Sequence, residues 1–238
     1  MWITALIVIF LINSLLSSEI FGIFEKCKIN DQACLKSSIN NGLPKLANGL
    51  QTINLPPIDP YFFGNSVTEA NGFLQEYFNV TFIGFSNIDV LKIEIDLDVC
   101  HIKLDFGLPK IVFDTLTHWK GALDNNQINF NLFGKMYCDN NTVKTLLNCK
   151  KVRKSELDYI EIIDGQTDFY CGNVTYSFAD IVDGKPQFNK NITDYVNKNP
   201  ESELQLTKPV ADKNLELFIQ FVANKIFSEI PLSELFLK

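Results

Sequence analysis

Between Asp31 and Leu50 the apolar positions are Ala33, Leu35, Ile39, Leu43, Leu46, Ala47 and Leu50. Their steps are mostly three or four, which places them on one face of an amphipathic helix. Asn30 or Asp31 can cap its start, because a short side-chain oxygen satisfies one of the first free backbone N–H groups. Pro44 interrupts the pattern and predicts a kink or a new turn. "NGL" from Asn48 and "LPPIDP" from Leu55 end the helix and set an extended passage.

From Phe73 to Phe188 the period changes to that of a half-buried strand. "NVTFIGFSNIDV" is short and strand-like. In "LKIEIDLDVCHIKLDF", Leu91 to Phe106, the residues Ile93, Ile95, Leu97 and Val99 alternate with Lys92, Glu94, Asp96 and Asp98. After Cys100 the apolar parity moves to Ile102, Leu104 and Phe106, which predicts a β-bulge within one long strand. Ile111, Phe113, Thr115, Thr117 and Trp119 share the next face. Ile128, Phe130, Leu132, Met136 and Cys138 share another. "LDYIEII" and "TDFYCGNVTYSFADIV" supply the last strands, with "DNN" and "DNNT" as turn signals. The pattern predicts an antiparallel sheet with one dry face.

The tail is helical again. Val210, Leu215, Phe218, Ile219, Val222, Ile226 and Ile230 form one stripe, widened by Leu217, Phe221 and Phe227. A stripe this broad belongs to a helix buried on much of its surface. From about Lys208 to Glu229 it would span roughly 33 Å before Pro231 stops it. The expected architecture is therefore α+β: a helix, a long curved antiparallel sheet, and a long C-terminal helix around which the sheet rolls, all in a single domain over 23–238.

Composition changes this picture in one respect. The chain of 238 residues holds 20 Phe against 7 Tyr and 2 Trp. Phe supplies bulk without a hydrogen-bonding group, so the surplus means either a thick core or a cavity with a dry wall. Net charge is −7, and the densest basic run is only "CKKVRK", Cys149 to Lys154. That argues against nucleic acid and against an anionic membrane surface as partners. Residues 1–18, "MWITALIVIFLINSLLSS", have the short apolar core of a signal peptide, with cleavage expected between about residues 17 and 22; an uncleaved anchor is the alternative. No second apolar run approaches spanning length. Four N-x-[ST] sequons follow, at Asn79, Asn140, Asn173 and Asn191, as in a secreted glycoprotein. Asn140 and Asn191 read as lying in turns; Asn79 and Asn173 read as strand neighbours that must point outward.

Six cysteines in such a chain favour disulfides. With two histidines, His101 and His118, and neither a close cysteine pair nor Cys-x-x-Cys, metal and thioredoxin-like redox sites are disfavoured. Cys27 and Cys34 would close a short local loop. The other four can pair in three ways, of which the preferred one has Cys138–Cys149 closing a turn and Cys100–Cys171 joining distant strands. No G-x-S-x-G or H-E-x-x-H motif is present, so an enzyme is not expected, and nothing calls for a cofactor.

Taken together, "CKINDQACLKSSINNGLPKLANGL", "LPPIDP", "HWKGAL", "CGNVTYSFADIVDG" and "VANKIFSEIPLSELF" resemble, in that order, the insect juvenile hormone-binding protein and takeout family. The resemblance implies an elongated super-roll with an internal hydrophobic tunnel, and non-covalent carriage of a terpenoid hormone, fatty acid or similar lipid. It also places the Cys27–Cys34 clasp near a tunnel mouth. A tunnel wall would then be drawn from Phe82, Phe106, Phe113, Trp119, Phe130, Met136 and Phe178 on the sheet and Leu46, Phe218 and Val222 on the helices, with Trp119 and Tyr176 as polar handles. For each of these the alternative is plain core filling. The whole chain has alternatives too: a secreted interaction or defence protein with a packed core, or one that binds microbial lipids.

Overall fold

A computed structural model describes residues 22–70, 72–123, 126–180 and 186–237. The expected signal peptide over 1–18 lies outside the described residues. The elements in chain order are β1 (Cys27–Lys28), α1 (Gln32–Gly42), β2 (Tyr61–Ala70), β3 (Phe73–Ile83), β4 (Asp89–Asp96), β5 (His101–Leu123), β6 (Asn126–Lys154), β7 (Leu157–Tyr170), β8 (Asn173–Asp180), α2 (Pro186–Lys198), α3 (Pro200–Phe227), α4 (Leu232–Leu235) and β9 (Phe236–Leu237).

The Asp31 side chain caps α1 by accepting from Cys34 N at 3.0 Å. The α-helix ends at Gly42, and Pro44 sits in a tighter 3₁₀ turn over Leu43–Leu46, because proline has no N–H to continue the α pattern. Asn40 then ties α1 to the sheet: its amide donates to Asp89 at 3.2 Å and accepts from Val90 N at 2.8 Å.

The two long strands β5 and β6 pair antiparallel along their length, from Leu123↔Asn126 to His101↔Asn148. Each is long enough to carry two neighbours on its other edge. On β5, β4 pairs with residues 101–107 and β3 with residues 112–120; on β6, β7 takes one half and β8 the other. β2 extends the sheet beyond β3. Twist accumulating over strands this long curls the sheet into an open roll, and α3 fills it.

The edges are closed by side chains from the helices. Asn224 of α3 bonds both Ile162 N (2.7 Å) and Ile162 O (3.1 Å), and Asp212 accepts from Phe169 N at 2.9 Å, so the outer edge of β7 is covered. On β8, Asn197 of α2 bonds Tyr176 N and O at 2.8 and 2.7 Å, and Thr193 accepts from Phe178 N. An unpaired strand edge buried without partners would be costly, so these contacts seat the helices as much as apolar packing does. Opposite them, β1 and β9 form a short parallel pair, Cys27↔Phe236 and Lys28↔Leu237.

Several expectations are corrected. The parity shift at Cys100 is a hairpin, not a bulge: residues 97–100 turn, and Asp96 pairs with His101. A four-residue turn and a one-residue bulge change parity alike. β2 and α2 did not stand out in the pattern. β2 is broken by Gly64 and two register shifts. α3 begins eight residues earlier than read, at Pro200, and contains Pro209; its 28 residues span about 42 Å.

The disulfides are Cys27–Cys34, Cys100–Cys149 and Cys138–Cys171, with Cα separations of 5.7, 5.0 and 5.5 Å. Cys138–Cys149 is excluded because both cysteines lie on β6, eleven residues apart and so roughly 36 Å along an extended strand. Cys100 instead faces β6 beside Asn148, and Cys171 follows β7 back to Cys138. All four sequon asparagines are exposed. Asn191 lies in α2 rather than in a turn, and Asn140 lies within β6, where its φ of 56° marks a local irregularity.

Candidate ligand cavity

Two apolar cavities lie between α3 and the inner face of the sheet. The first, about 90 Å³, is walled by Phe113, Thr117 and Trp119 of β5, Met136 of β6, Tyr176 and Phe178 of β8, and Glu203, Thr207, Val210 and Asn214 of α3. The second, about 170 Å³, is walled by Ile93 and Ile95 of β4, Ile102 and Phe106 of β5, Leu35 and Ile39 of α1, and Ile219, Val222 and Ile226 of α3. Phe24, Leu235 and Phe236 close its outer end, beside the Cys27–Cys34 clasp and the β1–β9 pair. A dry cavity of about 150 Å³ takes a benzene-sized guest, so the second already has room for such a guest.

A cluster of rings separates the two. Phe218 packs against Tyr61 at 4.4 Å and Phe85 at 4.5 Å between centroids. Phe82 touches Phe113, a wall of the first cavity, at 5.1 Å, and Phe85, a wall of the second, at 6.0 Å. Along α3, Phe218 falls between Asn214 and Ile219, the last and first helix residues of the two walls. Such rings can turn without breaking hydrogen bonds, since Phe makes none.

Of the residues read from the sequence, Phe113, Trp119, Met136, Tyr176 and Phe178 wall the first cavity and Phe106 and Val222 the second. Phe82 and Phe218 belong to the ring cluster between them. Phe130 packs on Trp119 at 6.1 Å, and Leu46 is buried in the core; neither walls these two cavities.

The structure also sets polar groups in and behind the wall of the first cavity: Trp119 and Tyr176, read from the sequence as polar handles, and Gln75, Tyr77 and Glu203, which the pattern did not single out. Gln75 is fully buried and donates to Glu203 from its Nε2 at 2.7 Å, while its carbonyl oxygen accepts from Tyr77 Oη at 2.9 Å and Thr68 Oγ1 at 3.1 Å. Burial pushes the Glu203 carboxyl above its ordinary range, partly offset by the Gln75 hydrogen bond. Burial, reinforced by Glu203, pushes the Tyr77 and Tyr176 phenols up as well. Trp119 Nε1 and Tyr176 Oη are buried donors with no acceptor among the described residues, the Thr207 hydroxyl lying beside the Tyr176 phenol. Gln75 shares parity with Phe73 and Tyr77, which is the one signal that could have turned it inward.

The sequence matches the family model described as haemolymph juvenile hormone binding protein over residues 5–237, which is nearly all of the chain. The chain belongs to the haemolymph juvenile hormone binding protein family. Among solved structures it is similar to the crystal structure of Epiphyas postvittana Takeout 1, with a TM-score of 0.78 at 17% identity, covering 89% of this chain and 98% of that one. A looser likeness, TM-score 0.41 at 13% identity over 79% of this chain and 37% of that one, is to lipopolysaccharide binding protein, and it is too low to bear on the fold. No curated protein matches by sequence. At 17% identity the takeout likeness establishes the super-roll, a curled antiparallel sheet half-barrel around a long C-terminal helix, and the family's members are binding proteins rather than enzymes.

Among the described residues no group of three or more His, Cys, Asp or Glu could hold a metal ion, and no helix is long and apolar enough to cross a membrane. His118, on β5 but in neither cavity wall, is bound by Asn129 (2.7 Å) and Glu76 (2.8 Å), and these hydrogen bonds hold its ring above the usual histidine range.

Proposed function

We propose that this protein is a secreted carrier that holds a small apolar molecule, of the terpenoid or lipid class, non-covalently between α3 and the curled sheet. The observation that carries the reading is the pair of apolar cavities along one face of α3, set end to end and separated by a cluster of rings. Asn214 to Ile226 covers about 18 Å of helix, a length suited to an extended chain rather than to a compact solute. The force would be burial, about 25 cal/mol per Å² of ligand surface removed from water. A ligand losing about 300 Å² would thus gain on the order of 7 kcal/mol, before the cost of ordering it.

Three disulfides, four exposed sequons and the apolar leader support an extracellular setting. Family membership supports carriage. The test is native mass spectrometry of protein secreted from eukaryotic cells, together with titration of a neutral fluorescent naphthylamine. A co-purifying apolar adduct or saturable, displaceable fluorescence is expected. Neither adduct nor saturable binding would refute the carrier and leave a packed body.

A further inference from the structure

An apolar carrier has no need of a half-buried carboxyl, yet Glu203 projects from α3 into the wall of the first cavity. Its one side-chain hydrogen bond comes from Gln75 at 2.7 Å, and no Lys, Arg or His among the described residues pairs with it. Gln75 cannot turn away, because its other end is bound by Tyr77 and Thr68. The cation nearest in the wall is Lys135, and its ammonium is engaged by Asp114 at 2.9 Å.

The same cavity holds two buried donors, Trp119 Nε1 and Tyr176 Oη, with no acceptor among the described residues. Trp119 and Tyr176 are 2% and 7% exposed. Indole N–H can only donate, so it calls for an acceptor from a guest. Thr207, beside them, has its hydroxyl within reach of the carbonyl oxygens of Glu203 and Leu204, both at 3.2 Å, and of the Tyr176 phenol oxygen, which as an acceptor keeps its own proton free to donate.

We propose that this end of the cavity is a head-group site that selects uncharged, oxygen-bearing amphiphiles (alcohols, esters or ketones) over free carboxylic acids, with Glu203 as the residue that sets the selection. The head oxygen accepts from Trp119 Nε1 and Tyr176 Oη. An alcohol can in addition donate to the Glu203 carboxyl. A ligand carboxylate would bring a negative charge next to a half-buried carboxyl with no free cation among the described residues of the wall to offset it, and like charges in a poorly solvated site repel strongly. Gln75 is a positioning residue: it aims Glu203 without touching the guest.

The inference rests on the carrier reading, and one experiment separates the two. The naphthylamine probe is displaced from the intact secreted protein, near neutral pH, by dodecanol, methyl dodecanoate and dodecanoate, which share one chain length. Dodecanol and the ester are expected to bind about ten-fold or more tighter than dodecanoate. Glu203→Gln keeps the shape and removes the charge, and should bring dodecanoate to within about three-fold of the alcohol. Trp119→Phe should weaken the alcohol and the ester while leaving dodecanoate little changed. Equal affinity for all three on the unmodified protein overturns the inference while leaving the carrier standing, and so does a gap that survives Glu203→Gln. No saturable binding of any of them overturns both. The comparison on the unmodified protein decides the matter even if a variant fails to fold.

Discussion

Phe218→Ala is the sharpest test of the cavity arrangement. Phe218 is 1% exposed and packs against Tyr61, Phe63, Phe82 and Phe85 with centroids 4.4 to 6.3 Å away. Removing its ring deletes on the order of 100 Å³, which at about 24 cal/mol per Å³ costs roughly 2 kcal/mol for the void alone. The lost burial adds to this, giving an expected total of about 3–5 kcal/mol. Little collapse is expected, because α3 is pinned to β7 on either side by Asp212 and Asn224. The two cavities should then join. Urea denaturation reads the stability, and displacement of the naphthylamine by alcohols of increasing chain length reads the joined space. Stability should fall by the stated amount while the preferred chain lengthens. A loss below about 1 kcal/mol, or an unchanged chain-length preference, would show that Phe218 does not divide one space into two.

Three further outcomes are expected. Because burial makes Glu203 hold its proton more tightly when folded, its contribution to stability falls as pH rises from the ordinary carboxylate range through its raised folded value, and is level below that range. The stability difference between the native protein and Glu203→Gln should therefore shrink or turn negative with rising pH in denaturation midpoints; a pH-independent difference would refute the burial. Asp59→Ala should cost about 2–3 kcal/mol, since Asp59 accepts from Gly84 N (2.9 Å), Ser86 N (3.0 Å) and Ser86 Oγ and so holds the turn bearing Phe85; a change below about 0.5 kcal/mol in urea denaturation would count against that role. Replacing both Cys138 and Cys171 with Ala opens a loop closed by a 33-residue separation and should cost about 4 kcal/mol, whereas a melting temperature within a degree or so of the native one would mean the denatured chain is not constrained by that bond.

How far the fold was legible depended on the element. The α1 cap at Asp31 and its break at Pro44 follow from local backbone chemistry and could be read directly. The inward faces of β5 and β6 followed from alternation, since side chains on a strand have only two directions. That is why Phe113, Trp119 and Met136 were found. The hairpin at residues 97–100 was misread because parity carries no information about whether a strand bends or reverses. α2 escaped notice because its helical spacing lies in a polar, sequon-bearing stretch. Pro209 disguised the true start of α3, although an exposed proline is tolerated where the rest of the helix is held by packing.

By itself the sequence determined the α+β class, the dry inner face, the disulfide chemistry and the family, because each is written in residue type and short-range spacing. Tertiary structure alone decided the rest. Which cysteines meet depends on strand register: Cys138 and Cys149 are neighbours in the chain yet far apart along β6. The Glu203–Gln75 bond joins residues 128 apart, so only a folded roll can bring them together. Whether a surplus of Phe becomes a solid core or two voids with rings between them is likewise a question of packing volume, and no one-dimensional pattern records volume.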